Sequence, residues 1–125
     1  TGIQTENVST AREVAYFARK VWENEALKKM SGTYRRQMAD IEGHARQVTT
    51  TNWMIWKPRY DNVWVNAGKT GYLNESMWNV VEILRPSTED NERELVIVTF
   101  GSPDRTTLFD SVSRLATWTW KGWRW

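Results

Sequence analysis

Cysteine is absent from this 125-residue chain, which excludes disulfides, thiolate metal sites and thiol nucleophiles together. The absence fits any compartment. Histidine is nearly absent too. The one residue, His44, sits in the polar stretch "IEGHARQ" without partners at metal-ligand spacing. It reads as a solvated loop residue, and no metal or other cofactor is expected. No apolar run approaches the roughly 18 residues of a bilayer span. Neither a G-x-x-x-x-G-K-[ST] phosphate loop nor G-x-G-x-x-G occurs. Charge of one sign is also scarce, with 17 Lys+Arg against 15 Asp+Glu and a net charge of +2. The pI near 9.0 therefore rests on two charges and no basic block, and a nucleic-acid partner is not expected.

What is present describes an ordinary globular domain: 40% hydrophobic residues, 26% charged, and a length suited to one core. Nine tryptophans are many for this size, and such rings serve cores, interfaces or ligand surfaces. The chain opens at Thr1 without a signal-peptide pattern, and "TGIQTENVST" reads as a processed or cut end.

Periodicity divides the rest. Thr10 and Glu13 form a Thr-x-x-Glu capping box, behind which Val14, Ala15, Ala18, Val21 and Trp22 make one apolar helical stripe. Asn24 can cap a second short helix, "ENEALKKM", ending at Ser31-Gly32. From Thr33 to Tyr60 the pattern loosens. "TYRRQMADI" is a strand or a mobile arm, and "RQVTTTNWMIW" reads as a strand entering a turn. Three strand-like runs follow, "VWVNAGKTGYL", "MWNVVEIL" and "ELVIVTFG". Their short connections argue for antiparallel hairpins. The charged loop "RPSTEDNERE" joins the last two. Its carboxylates Glu89, Asp90, Glu92 and Glu94 read as a solvated turn, because nothing there buries one and raises its pKa. In "RTTLFDSVSRLATWTW", Leu108, Val112, Leu115 and Trp118 or Thr119 share a helical face, so a closing helix is expected. Helices flanking a hairpin sheet predict an α+β layer fold.

One tripeptide carries chemistry. Lys69-Thr70-Gly71 lies within a strand signal, preceded by Gly68 and followed by Tyr72. Lys-Thr-Gly, with Ser-x-x-Lys and Ser-Asp-Asn, is the motif set of penicillin-binding proteins and serine β-lactamases. A strand edge bearing a cation and a hydroxyl can hold a carboxylate while its backbone amide faces a scissile carbonyl. Glycine permits close approach of a ligand to the backbone.

The flanks extend the likeness. "TGIQTENVSTAREVA" resembles the "TGL-x-x-x-NVSTARDLA" stretch of low-molecular-mass D-alanyl-D-alanine peptidases. "TTTNWMIW" resembles their "NTN" segment, and "GKTGYLNESMWNVV" resembles "KTGYTNEAGWNLV". "ELVIVTFGSPDRTTLFDSVSRLATW" resembles their last strand, Gly-Ser turn and final helix. The chain departs from that pattern at Leu73, where the family has Thr, and at Ser76-Met77, where it has Ala-Gly. Neither Ser-x-x-Lys nor Ser-x-Asn occurs. Tyr60-Asp61-Asn62 mimics a Tyr-x-Asn variant but lies too near Lys69, and it reads as coincidence.

The resemblance implies that residues 1–125 are the C-terminal portion of one serine-type DD-peptidase domain of the β-lactamase/DD-peptidase-like fold, with an antiparallel sheet packed against helices. The implied function is a penicillin-binding carboxypeptidase or endopeptidase acting on peptidoglycan stem peptides and reacting with β-lactams, in the periplasm or otherwise outside the cytoplasm. The implied roles are positive potential from Lys69, carboxylate recognition by Thr70, Gly71 and Arg105, and an oxyanion donor in the Tyr72 backbone N–H. The nucleophile is expected on an N-terminal fragment of the same protein, so this chain alone is expected to be inactive. Two alternatives stand beside that reading, a non-catalytic peptidoglycan- or glycan-binding module and an inactive truncated relic. The tail "WTWKGWRW" finishes the last helix or makes a weak membrane-surface contact.

Overall fold

The structure is a computed structural model that describes residues 6–124. The first five residues of the suggested processed end, and Trp125 of the Trp/Arg tail, lie outside the described residues.

Helix α1 (Ala11–Val21) starts at the expected capping box, with Glu13 N–H donating to Thr10 Oγ1 at 3.2 Å and Thr10 N–H donating to Glu13 Oε2 at 2.8 Å. Helix α2 (Glu25–Ser31) starts at Asn24, whose Oδ1 accepts from the Ala26 and Leu27 amides. At its end Gly32 lies so close to the Asn66 carbonyl that a β-carbon would collide with backbone, which is how α2 reaches the sheet.

Strands β1 (Arg35–Ala39) and β2 (Ala45–Thr49) form an antiparallel hairpin exposed along its whole length. Strand, not arm, is thus the outcome for "TYRRQMADI". Asp40 Oδ1 fixes the turn by accepting from the Glu42 and His44 amides, and Gly43 supplies a φ of 85°. His44 is exposed there, its Nδ1 3.4 Å from the carboxylates of Asp40 and Glu42.

Two 3-10 turns, Trp53–Ile55 and Pro58–Tyr60, lead to β3 (Trp64–Leu73), β4 (Met77–Arg85) and β5 (Leu95–Ser102). These strands pair antiparallel in the order β3-β4-β5, leaving β3 on an edge. A bulge between Val65 and Ala67 turns those two side chains to opposite faces. Helix α3 (Arg105–Gly122) covers one face, where Leu108, Phe109, Val112 and Ala116 meet Val65, Val80, Leu84 and Ile97. On the other face Ala18 of α1 and Trp22, its C-cap residue, pack with Ala67 and Ile83. The expected α+β layering is what forms.

The face of α3 differs from expectation. Leu115 and Trp118 are 42% and 61% exposed, while Phe109 and Ala116 are fully buried. The buried stripe runs 108–109–112–116 because small Ala116 lets the helix close on the sheet, and Trp120 continues it with its Nε1–H on the Arg93 carbonyl at 3.0 Å. Trp118 falls on the far side of the helix. Met77 also departs from the usual, with a φ of 56° at the position where the resembled family has glycine.

Candidate functional site

Lys69, Thr70, Gly71 and Tyr72 lie in register on edge strand β3, paired with Val81, Val80, Asn79 and Trp78 of β4. Neighbouring side chains on a strand alternate between faces, so Thr70 and Lys69 diverge. Lys69 is exposed, and its ammonium donates to the Thr70 carbonyl. Gly71 has open space where a β-carbon would stand, so nothing in the described chain crowds the backbone there. The Tyr72 ring packs on Trp78 at 4.7 Å, and its hydroxyl donates to Asn74 Oδ1 at 3.1 Å.

Thr70 points toward the face that α3 covers, where its Oγ1 lies 2.6 Å from Thr51 Oγ1. Arg105, the first residue of α3, donates from its guanidinium to the Thr51 carbonyl. Its guanidinium carbon lies 4.6 Å from the Trp53 ring and 4.9 Å from the Trp78 ring, an arrangement that holds the planar cation by stacking. Burial holds its pKa below the usual arginine value. Lys57 sits 3.0 Å above the same Trp53 ring. Neither Lys69 nor Arg105 meets a carboxylate among the described residues, so both charges remain available to an anion. Thr70 and Arg105 thus converge on Thr51, while Lys69 lies one residue along the same edge.

Directly across the β3–β4 ladder from Gly68, Glu82 is fully buried. Asn52 Nδ2–H donates to its Oε1 at 2.5 Å, and Asn52 Oδ1 accepts from the Met54 amide at 3.0 Å. Glu82 Oε2 has no hydrogen-bond partner among the described residues. Burial pushes the Glu82 carboxyl up to about 8, against a smaller downward pull from Asn52. Burial favours the neutral carboxyl, because an ionised group removed from solvent costs far more than an unpaired hydroxyl. Gly68 completes the contact: a β-carbon there would lie 2.7 Å from Asn52 Nδ2.

Lys69, Thr70, Gly71, Tyr72 and Arg105 are expected from the sequence, whereas Thr51, Asn52, Trp53, Trp78 and Glu82 join the site only through the fold. Two signals were present. Thr51-Asn52 lies inside the segment that resembles "NTN", and Glu82 is the one charged residue in the otherwise apolar run "VVEIL". Tyr60 and Asn62, of the Tyr-x-Asn look-alike, are occupied in packing: Tyr60 OH donates to Asp110 at 3.1 Å, and Asn62 bonds Ser113 and Thr117 of α3. The carboxylates of the 85–94 loop are tied down more than expected, with Asp90 holding the Glu92 and Arg93 amides and Glu94 accepting from Asn66 at 2.8 Å. A polar cleft lined by Lys28, Lys29, Asn66, Arg85 and Glu94 lies at the opposite end of β3 from Thr70. No cluster of three or more metal-binding side chains occurs among the described residues.

An antiparallel sheet between helices, with a hydroxyl- and cation-bearing edge, makes an α+β fold. The solved structure of an "evolved putative penicillin-binding protein homolog" from Mycobacterium tuberculosis matches it with a TM-score of 0.62 and 22% identity over 86% of this chain. The chain spans 41% of that protein's length. At this identity the likeness is one of fold. No family model matches the sequence, and no curated protein does either.

Proposed function

We propose that this chain supplies the substrate-binding edge of a serine-type D-alanyl-D-alanine peptidase, a penicillin-binding enzyme that trims or cleaves peptidoglycan stem peptides. The observation that carries the reading is the convergence of Thr70 and Arg105 on Thr51 beside exposed Lys69, on an edge strand with open space at Gly71. Thr70 and Arg105 would grip the terminal carboxylate of the peptide, a charge-assisted pairing suited to a stacked guanidinium. Lys69 would raise the positive potential near the reacting centre, and the Tyr72 backbone N–H would donate to the carbonyl oxygen as negative charge develops there. Attack by a serine and release by water belong to a Ser-x-x-Lys segment that this sequence does not contain. That segment would come from the N-terminal fragment of the same fold. Such an enzyme works outside the cytoplasm, where peptidoglycan and β-lactams are found.

Binding of an acyl-D-Ala-D-Ala peptide tests the reading. Thr70→Val should weaken affinity by about tenfold or more, since it removes a charge-assisted contact worth about 1.5–3 kcal/mol, and Lys69→Ala should weaken it by less, through lost positive potential. Affinity indifferent to both changes would overturn it, as would covalent penicillin label on this chain. A second reading has one observation behind it, the stacked Tyr34–Trp56 pair with ring centroids 6.0 Å apart on the exposed surface. Stacked surface rings suit sugar faces. A glycan-binding module would keep its affinity in the Lys69 and Thr70 variants and lose it in Trp56→Ala.

A further inference from the structure

We propose that Glu82 is a positioning residue, a buried carboxyl that anchors Asn52 to the sheet and thereby holds the Thr51 hydroxyl and carbonyl in place for Thr70 and Arg105. The role toward substrate rests on the proposed carboxylate grip, while the positioning itself does not.

The chain of contacts is short and continuous. Glu82 accepts from Asn52, and Asn52 also accepts from the Met54 amide, so both ends of its amide group are engaged. The Asn52 amide in turn donates to Thr50 Oγ1 at 3.2 Å. Thr51 lies between these two anchored residues. It meets Thr70 through its hydroxyl and Arg105 through its carbonyl. Among the hydrogen bonds of the described residues, Asn52 to Glu82 is the one that joins the 50–52 segment to the central strand β4. The absent side chain of Gly68 makes the room for it.

Burial favours the neutral carboxyl here, against the pull of the Asn52 bond toward the ionised form. Charged side chains on the elements packed around it are Lys69 on β3, Arg85 on β4, and Arg105, Asp110, Arg114 and Lys121 on α3, while β5 and the 53–55 turn carry none. None of these charges contributes to the upward shift, whose cause is burial, opposed by the Asn52 bond. An ionised Glu82 would have one donor and would need water at Oε2. Solvating that charge needs water to reach a fully buried group, and the 50–52 segment, which covers it through Asn52, is the part that would give way.

The test is a pH titration of the full chain by NMR, in the wild type and in Glu82→Gln, with an acyl-D-Ala-D-Ala peptide added in parallel. Glutamine stays neutral and can still accept from Asn52. Expected are Thr51 and Thr70 amide transitions in the wild type that follow the Glu82 carboxyl, with peptide affinity falling about tenfold per pH unit above its midpoint. In Glu82→Gln both dependences should vanish while neutral-pH affinity is kept. A Glu82 carboxyl that titrates without moving Thr51 and Thr70 overturns the proposal, and so does the same transition in Glu82→Gln. Should the variant not fold, the wild-type carboxyl and amide titrations decide by themselves. A peptide that fails to bind at any pH removes the carboxylate grip alone, because the Thr51 and Thr70 signals report on positioning independently.

Discussion

The β1–β2 hairpin and the β3–β4–β5 sheet are built from strands paired in the same antiparallel manner, yet they stand at opposite ends of burial. Every residue of β1 and β2 is exposed, and the pair is held by its ladder and by the Asp40 turn. The sheet has α3 on one face and α1 on the other, and its central strand carries Val80, Glu82, Ile83 and Leu84 all buried. What separates them is the content of the strands. "RRQMA" and "ARQVT" offer little apolar surface to either side, whereas "VVEIL" is built to be covered on both. The difference teaches that pairing alone gives geometry, and that burial between layers is what can fix a polar group such as Glu82 in a single state.

The comparison can be broken most forcefully from beneath α3. Phe109→Ala removes a fully buried ring that touches Trp53 and Tyr60, and it should cost about 3–5 kcal/mol in denaturant unfolding. An effect below about 1 kcal/mol would mean that α3 does not cover the sheet as described. Next comes Glu82, whose folded pKa is raised from 4.5 to about 8. Below pH 4.5 both folded and unfolded forms are protonated and its stabilising contribution is complete. Above that the unfolded chain ionises first, so stability falls until about pH 8 and then levels. The loss should be on the order of a few kcal/mol, and Glu82→Gln should remove it. Stability measured at pH 5 and pH 9 in both proteins checks the sign. The smallest effect belongs to the hairpin, where Val48→Ser should change stability by no more than about 0.5 kcal/mol because Val48 is already 53% exposed. A larger loss would show that the hairpin is covered in solution.

Legibility followed the same division. The capping box at Thr10 and Glu13, the Asn24 cap and the bounds of β3, β4 and β5 could all be read within a residue or so, because each rests on local spacing. The buried face of α3 is not legible from spacing. Leu115 and Trp118 are large and apolar, and only the close approach allowed by Ala116 explains why the smaller residue is the one inside. Among the site residues, Lys69 to Tyr72 were readable as a contiguous motif and Arg105 as part of a resemblance. Thr51 and Asn52 could not be assigned partners, since they meet Thr70 and Glu82 across 19 and 30 positions of chain.

By itself, then, the sequence determined the caps, the strand content, the absence of thiol chemistry and the Lys-Thr-Gly edge. These are properties of neighbouring residues and of composition, which local sterics and hydrogen bonding decide. Only the tertiary structure decided that Thr70 and Arg105 share Thr51, that two indole rings hold the arginine, and that the Glu82 carboxyl is fully buried on the central strand. Each of those depends on how far layers approach one another, and that distance is set by packing from several elements at once.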